Sequence, residues 1–496
     1  MMKRLLPLVS GILLLLLSTR ALHSSESLAG SRPNIILVMT DDQGLGDLAC
    51  LGNEILETPH LDKFYEMSLR FTDFHVSPTC APTRSAMMSG RHEFRNGVTH
   101  TIKERERMAL STTTFPQLLQ RAGYKTGIFG KWHLGDEDEY QPYNRGFDHV
   151  FIHGAGGIGQ SYDSSCADFP PNRQNVYFDI VALQNDTIVQ TEGFCTDVFF
   201  QEGLGWIKKQ LEHGEPFFAY IPTNAPHGPM IAPEKDKRRF LEMGFDDTTA
   251  GRYGMLENID DNFGLLMSKL DEWDAWDNTL VIFMTDNGQS TRSGMLHGKR
   301  VPLFAGGYKT GKGSPYEGGT HVPAFWRWKG KLPEGRDLNA LTAHIDLFKT
   351  FCALAGAEIP ADIQQIDGRS LLPLLEDPDS DWEDRTLFFH VGRWEKFADP
   401  HDSKFDRCAV RTTRWRLVNN KELFDIQNDP FEKTNVILDH PKVVARLRQS
   451  YDEWWDATVP LMVNEQTPNL DHQPQAVRYQ RQLKERGIPE WQPPSL

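Results

Sequence analysis

Two short apolar runs stand out in the hydropathy pattern, Asn34-Ile35-Ile36-Leu37-Val38-Met39 and Thr279-Leu280-Val281-Ile282-Phe283-Met284. Neither alternates with polar residues, which is the pattern of a strand buried on both faces, as in a parallel sheet. Both end alike, in Thr40-Asp41-Asp42-Gln43-Gly44 and Thr285-Asp286-Asn287-Gly288. Between them the chain alternates. Helical pattern over 58–68 has Thr58 as cap and Pro59 at its first position, and a second helix over 114–122 ends at Gly123. A strand is predicted over 124–129. A helix over 192–211 leads to a strand over 216–221. The 251–273 segment places Met255, Ile259, Phe263, Leu266 and Leu270 near one helical face. It feeds the second Asp-ending run and completes a strand–helix–strand unit. A further helix is predicted over 346–355.

The pattern then changes. Asp367-Gly368-Arg369-Ser370 reads as a turn and cap before the apolar 371–375, and an acidic stretch over 376–384 marks a boundary. Short strand patterns follow at 386–389, 407–411, 415–418 and 421–425, with a turn at Asn428-Asp429-Pro430. These predict a small antiparallel unit, followed by a helix over 441–456. From Gln466 onward Pro is scattered and apolar residues are few, so the tail either wraps on the surface or is disordered.

At 496 residues the chain can bury a large core. Its formal charge of −15 argues against a nucleic-acid partner. It says little about a small anionic substrate, because local cations can dominate within a cleft. Lys3-Arg4 followed by the apolar Leu5–Leu17 reads as a secretory signal, cleaved between Thr19 and Gly30; an uncleaved anchor is the alternative. The run is short for a stable membrane span, and no later segment has the composition of one. The protein is therefore expected to be exported, periplasmic or secreted. Export permits disulfides among Cys50, Cys80, Cys166, Cys195, Cys352 and Cys408, with Cys166–Cys195 as a candidate bridge. Asn185-Asp186-Thr187 matches a glycosylation sequon.

Candidate chemistry sits at the ends of the predicted strands, where ligands gather in open α/β sheets. If the two Asp-ending strands are neighbours, Asp41, Asp42, Asp286 and Asn287 come together. Three carboxylates and an amide then call for a hard cation, Ca²⁺ or Mg²⁺ rather than Zn²⁺. Taken singly, an Asp after a strand is simply a turn former or helix cap. In Cys80-Ala81-Pro82-Thr83-Arg84, Pro82 fits a first helical turn, so Cys80 falls at a helix N-terminus that favours anions. Cys80 is then a nucleophile facing an oxyanion, or a disulfide cysteine. Lys131 and His133, two apart on an extended segment, point the same way and can contact an anion. His227 lies between Pro226 and Pro229 on a stiff loop at another strand end. Lys312 lies in the Gly-rich 310–323 stretch, which lacks the spacing of a nucleotide P-loop.

Together these pieces resemble the formylglycine-dependent (type I) sulfatases, an arylsulfatase-like family with the alkaline-phosphatase-like fold. The resemblance runs from about Pro33 to Asn435. It is carried by Cys80-Ala81-Pro82-Thr83-Arg84 with Ser89-Gly90, by Thr40–Gly44, Gly123–Gly135, Ala225-Pro226-His227, Thr285–Gly288 and Gly311–Pro323, and by Glu422–Asp425 with Asn428-Asp429-Pro430. There are two departures: Thr83 stands where the family often has Ser, and His321 where it often has Arg. The resemblance implies an α/β fold, a large, mixed, mostly parallel sheet flanked by helices, with a smaller C-terminal α+β subdomain containing an antiparallel sheet. The expected division is a signal peptide over 1–24, a sulfatase catalytic domain over 31–380, the C-terminal subdomain over 381–460 and a tail over 461–496.

The resemblance further implies that a separate maturation enzyme oxidises Cys80 to formylglycine. One hydroxyl of the hydrated aldehyde attacks sulfur and expels the alcohol; the other re-forms the carbonyl and ejects sulfate, splitting one hard step into two. Asp41, Asp42, Asp286 and Asn287 would hold one Ca²⁺, ahead of Mg²⁺, beside the side chain of residue 80. Arg84, Lys131 and Lys312 would neutralise sulfate oxygens or steady the aldehyde hydrate. His227, with Lys312, would protonate the leaving oxygen, and His133 would take the proton that drives sulfate release. The expected activity is a sulfuric ester hydrolase acting on a sulfated carbohydrate or aryl sulfate. Two alternatives stay open: a phosphodiester or phosphonate monoester hydrolase, and a silent secreted binding protein with unmodified Cys80.

Overall fold

The computed structural model describes residues 27–170 and 176–496, so the expected signal peptide at 1–24 lies outside the described residues. A 10-stranded sheet organises the chain. Its strands are β1 (Asn34–Thr40), β2 (Leu69–Phe71), β3 (Lys125–Lys131), β4 (His149–His153), β5 (Val181–Gln184), β6 (Thr187–Gln190), β7 (Phe217–Pro222), β8 (Thr279–Thr285), β9 (Ala324–Arg327) and β10 (Arg336–Leu338). In space they run β10-β2-β9-β8-β1-β7-β3-β4-β5-β6. The centre, from β8 to β4, is parallel, and antiparallel pairs at both flanks make the sheet mixed.

The continuous apolar runs are sorted by the pleat. Ile35, Leu37 and Met39 of β1 face one layer with Leu280, Ile282 and Met284 of β8. Ile36 and Val38 face the other with Val281 and Phe283. Helices α2 (Cys80–Ser89) and α3 (Phe115–Arg121) cover the first face. Helices α1 (Pro59–Glu66), α4 (Cys195–His213) and α6 (Asp247–Glu272) cover the second, with α5 (Glu234–Glu242) packed on α6. A seventh helix, α7 (Leu347–Ala355), returns to the α2 face. The predicted apolar stripe of α6 is fully buried, but the helix starts at Asp247 rather than 251 because the Asp246 carboxylate caps it, accepting from Thr249 N at 3.1 Å. Helix α2 ends where Gly90 turns at φ +69°; a side chain there would meet the Phe348 ring.

The C-terminal strands β11 (Leu387–His390), β12 (Cys408–Arg411), β13 (Trp415–Val418) and β14 (Glu422–Asp425) form a separate antiparallel sheet. Helix α8 (Pro441–Thr458) covers it with Leu447, Tyr451, Trp454 and Trp455. The tail is ordered. It forms α9 (Pro474–Arg486), then runs beside β6, where Gln190 N donates to Pro489 O at 2.9 Å. Buried Trp491 anchors it through Glu202 at 2.8 Å. One disulfide expectation fails. All six cysteines are free: the Cys166 sulfur lies 3.8 Å from Thr101 O, while Cys195 packs in the core at the start of α4. No described helix is long and apolar enough to cross a membrane.

Behind α2, Ser77 Oγ donates to Glu93 Oε2 at 2.8 Å, and the other carboxyl oxygen has no partner. Burial pushes this carboxyl up to about 8. The folded protein thus keeps a proton that the unfolded chain releases above about pH 4.5. This stability is fully present below that pH and is lost as pH rises toward about 8. Glu93→Gln should flatten the fall, read as unfolding midpoints in urea across that window; an unchanged slope would exclude Glu93 as its source.

Candidate active site

Strands β1 and β8 pair in parallel with Thr40 opposite Thr285, so their acidic ends emerge side by side. Asp42 N–H donates to Asp286 Oδ1 at 3.1 Å, and Asn287 Nδ2 donates to Asp42 Oδ1 at 2.9 Å. Asp42 adopts φ +69°, a left-handed conformation that the surrounding contacts must hold. Cys80 is the first residue of α2 and is buried. Its sulfur and carboxylate oxygens of Asp41 and Asp286 all lie within 4.8 Å of one another.

Each carboxylate faces one cation. Lys131 Nζ lies 2.5 Å from Asp41 Oδ2, Arg84 Nη2 lies 2.8 Å from Asp286 Oδ2, and Lys312 Nζ lies 2.5 Å from Asp42 Oδ1. Arg84 Nη1 also donates to Lys131 O at 3.0 Å. Burial opposes ionisation at Asp42, but Lys312 and His227 outweigh it and hold the carboxyl far below its usual range. At Cys80 burial is likewise outweighed, by Lys131 and Lys312, and the thiol is lowered. Asp41 and Asp286 behave in the opposite way. Burial pushes both up to about 6, with Lys131 opposing at Asp41 and the Asp41 charge adding at Asp286.

The donors fit a hard divalent cation. Asp41 Oδ1 and Asn287 Oδ1 are buried with no hydrogen-bond partner, although buried polar atoms normally have one. The Asn287 amide has spent its N–H groups on Asp42 and Gly288 O, leaving its carbonyl oxygen free. Dry carboxylates that resist ionising together, beside an orphan amide oxygen, match the oxygen donor set of Ca²⁺ or Mg²⁺.

The two histidines are fixed by opposite ring nitrogens. His133 Nε2 lies 2.8 Å from Thr101 O, and His227 Nδ1 lies 2.7 Å from Gly228 O. A carbonyl only accepts, so those nitrogens carry the protons. His133 Nδ1 is left buried without a partner, and His227 Nε2 lies 4.0 Å from Asp42 Oδ2. Burial, then Lys131, pushes the His133 imidazole well below its usual value. Burial also lowers His227, with Asp42 opposing. The expected straight Lys131–His133 segment is not found: β3 ends at Lys131 and His133 turns at φ +61°. That turn needs Gly156, where a side chain would strike the His133 ring at 2.4 Å.

Supporting residues escaped the sequence reading. Arg252 Nη2 donates to Asp47 Oδ2 at 2.6 Å and to Asp42 O at 3.4 Å, both side chains fully buried behind the Asp42 turn. Gln289 Nε2 donates to Asp47 Oδ1 at 3.0 Å, and Tyr177 Oη donates to His227 O at 2.7 Å. Only polar identity marked these residues, and nothing in their spacing did. His321 is not at the site. Its Nε2 donates to Thr72 O at 2.8 Å, its ring stacks on His75, and Nδ1 lies 3.4 Å from Glu317.

The sulfatase family profile matches residues 33–357, and the C-terminal profile of N-sulphoglucosamine sulphohydrolase matches residues 311–454. The chain belongs to the sulfatase family. Human N-acetylgalactosamine-6-sulfatase is 34% identical over 471 residues, covering 86% of each chain. The N-acetylgalactosamine-6-O-sulfatase of Bacteroides thetaiotaomicron is 29% identical over 90% of this sulfatase and 98% of its own length. Among solved structures, Ps i-CgsB in complex with k-i-k-neocarrahexaose superposes with TM-score 0.72 at 27% identity, covering 92% of this sulfatase and 98% of that chain. The sulfatase family generally uses a formylglycine and a divalent metal ion, and the donor set described above fits a divalent ion. Removing Arg252 would leave Asp47 buried and unpaired. Arg252→Leu should cost about 3–5 kcal/mol in denaturant unfolding; a loss below about 1 kcal/mol would show that the pair does not brace the Asp42 turn.

Proposed function

We propose that this sulfatase releases inorganic sulfate from a sulfate monoester of a carbohydrate, with formylglycine at position 80 and Ca²⁺ held by Asp41, Asp42, Asp286, Asn287 and residue 80. The observation that carries this reading is the convergence of three carboxylates, three cations and the Cys80 sulfur in one buried cluster. N-acetylgalactosamine 6-sulfate is the first candidate substrate, because several relatives carry that specificity in their names. An aryl sulfate is the second, from the relatives named arylsulfatase G. Maturation requires a formylglycine-generating enzyme. Export to the periplasm or exterior is supported by Lys3-Arg4 and the apolar run behind them.

A hydrated aldehyde at residue 80 would supply the two hydroxyls of a two-step displacement at sulfur, and a cation held by Asp41, Asp42, Asp286 and Asn287 would supply positive charge for the sulfate oxygens. The chain's own groups do the rest. Arg84, Lys131 and Lys312 are fixed by their carboxylate partners and present positive charge without having to reorganise. His227, with Asp42 and Lys312 beside it, protonates the departing sugar oxygen through Nε2. His133 accepts the proton from the second hydroxyl through Nδ1, the nitrogen left free by its bond to Thr101. Its depressed basicity keeps it neutral and ready to accept.

Mass spectrometry of the peptide containing residue 80 should find the aldehyde, and the matured enzyme should desulfate N-acetylgalactosamine 6-sulfate in preference to turning over an aryl phosphonate. Unmodified Cys80, or a clear preference for phosphorus, would defeat the reading. Lys312→Ala should lower kcat by about 10²–10³. His227→Ala should hurt the sugar sulfate far more than 4-nitrophenyl sulfate, whose leaving group needs no proton, whereas His133→Ala should slow both. Equal losses on both substrates for His227→Ala would remove it as the acid. Chelation should lower the melting temperature as well as activity, and Ca²⁺ should restore both; saturation at 100-fold over Kd is worth about 2.7 kcal/mol. A melting temperature indifferent to chelator would argue against a resident cation.

A further inference from the structure

Thr101 joins the catalytic end of the sheet to the C-terminal unit. Its carbonyl accepts from His133 Nε2 at 2.8 Å, and its hydroxyl accepts from Arg393 Nη2 at 3.1 Å. Arg393 follows β11, and its backbone N–H donates to Thr99 O at 3.0 Å. The two loops touch so closely that a side chain on Gly392 would lie 2.1 Å from Thr99 O. Both carry cations. Lys103 is exposed, two residues beyond Thr101. Arg407 Nη2 donates to Gly392 O at 2.8 Å, beside Arg393. Both Lys103 and Arg393 are held at positive φ, +63° and +62°.

Two acids of these loops are already engaged. Glu104 pairs with Lys396 at 2.6 Å, and Glu465 pairs with Arg105 at 3.1 Å and accepts from Trp394 Nε1 at 2.6 Å. Among the described residues no carboxylate forms an ion pair with Lys103 or Arg393, and Arg393 Nε is buried without a partner. An uncompensated pair of cations is conspicuous on a chain of net charge −15. His100 lies between Thr99 and Thr101, the two residues that hold Arg393. Its Nδ1 accepts from Thr101 N at 2.7 Å, leaving Nε2–H to donate. Burial, then Arg393, pushes this imidazole down to about 3, which reports the local positive field. Tyr162, 37% exposed, is near enough for the charges of Cys80, Arg393 and Lys312 all to act on its phenol. Through Thr101, bonded to both His133 and Arg393, the cationic loops abut the segment that carries His133.

We propose that His100, Lys103 and Arg393 form a subsite for an anionic group, a uronate carboxylate or a second sulfate, on the sugar adjoining the one that is desulfated. The subsite rests on the sulfatase reading above and sets which glycan is preferred. Arg393 offers a guanidinium whose Nη2 is held by Thr101 and whose Nε has no protein partner, suited to a carboxylate or sulfate.

Three substrates test it: a disaccharide of uronate and N-acetylgalactosamine 6-sulfate, the same disaccharide with its carboxyl reduced to an alcohol, and the reduced form bearing a second sulfate. The wild-type enzyme should favour either anionic form over the neutral one by roughly tenfold or more in kcat/KM. That ratio should collapse toward one in Arg393→Gln and shrink in Lys103→Gln, and it should decline with added salt in the unmutated enzyme. Whichever anion gives the larger ratio identifies the natural group. Equal kcat/KM for all three substrates, or a ratio untouched by both variants and by salt, overturns the subsite while leaving the sulfatase reading intact. If none of the three is desulfated by enzyme carrying formylglycine, the assignment of N-acetylgalactosamine 6-sulfate as substrate falls and the subsite falls with it.

Discussion

The in-register parallel pairing of β1 with β8 is the constraint on which the site depends. Because Thr40 lies opposite Thr285, Asp41, Asp42, Asp286 and Asn287 have no choice but to emerge together in a place where water is excluded. Carboxylates so close cannot all stay charged unless positive charge is built around them. The chain answers with one cation for each carboxylate, and each comes from a different part of the sequence: Arg84 from α2, Lys131 from the end of β3, Lys312 from the Gly-rich loop. Asp41 and Asp286 still resist ionisation after that, chiefly because they are buried, so a further cation beside them would favour their charged forms.

The C-terminal sheet belongs to this arrangement. Lys312 rides on a Gly-rich loop whose backbone is tied to Gln289 O and Pro78 O. Glu317, on the same loop, is gripped by Arg411 of β12 at 2.9 Å and Arg416 of β13 at 2.6 Å, all three side chains buried. Arg416 also donates to Thr320 Oγ1 at 2.9 Å and to Pro315 O. Breaking a buried pair of this kind strands a charge in a dry interior, so the antiparallel unit and the Lys312 loop are coupled. His321 belongs to the same clamp, stacked on His75 and bonded to Glu317. An Arg at that position would place a permanent charge there; here the imidazole completes the clamp.

The parts legible in the sequence were those governed by local rules. The buried strands announced themselves as unbroken apolar runs, α3 by Thr114 with Pro at its start, and the four C-terminal strands by their turns. Cys80 could be placed at a helix N-terminus because Pro82 tolerates no other part of a helix. What escaped depends on distant contacts. The three-residue strands β2 and β10 are too short to carry a period, and the tail reads as either wrapping or disordered because its order rests on distant contacts, Trp491 on Glu202 and Gln482 on Ile188. Asp47 and Arg252 are separated by about two hundred positions and carry no motif; only the fold makes them a brace for Asp42. The Cys166–Cys195 pairing failed for the same reason, since nearness in sequence said nothing of the two layers into which the cysteines fold.

The histidines show how the scaffold can assign opposite duties to one kind of side chain. Both imidazoles are buried and both are weakened as bases by that burial. The difference lies in what faces each. His227 Nε2 looks toward Asp42, whose negative charge favours an imidazolium, while His133 has Lys131 and Arg84 as electrostatic neighbours, which oppose one. A proton is therefore easier to keep at His227 and easier to lose at His133, before any substrate arrives. Because Thr101 O fixes His133 by Nε2 and Gly228 O fixes His227 by Nδ1, neither ring can rotate into the other's tautomer without losing its carbonyl. The proposed acid and the proposed base would thus be set apart by backbone carbonyls and neighbouring charge.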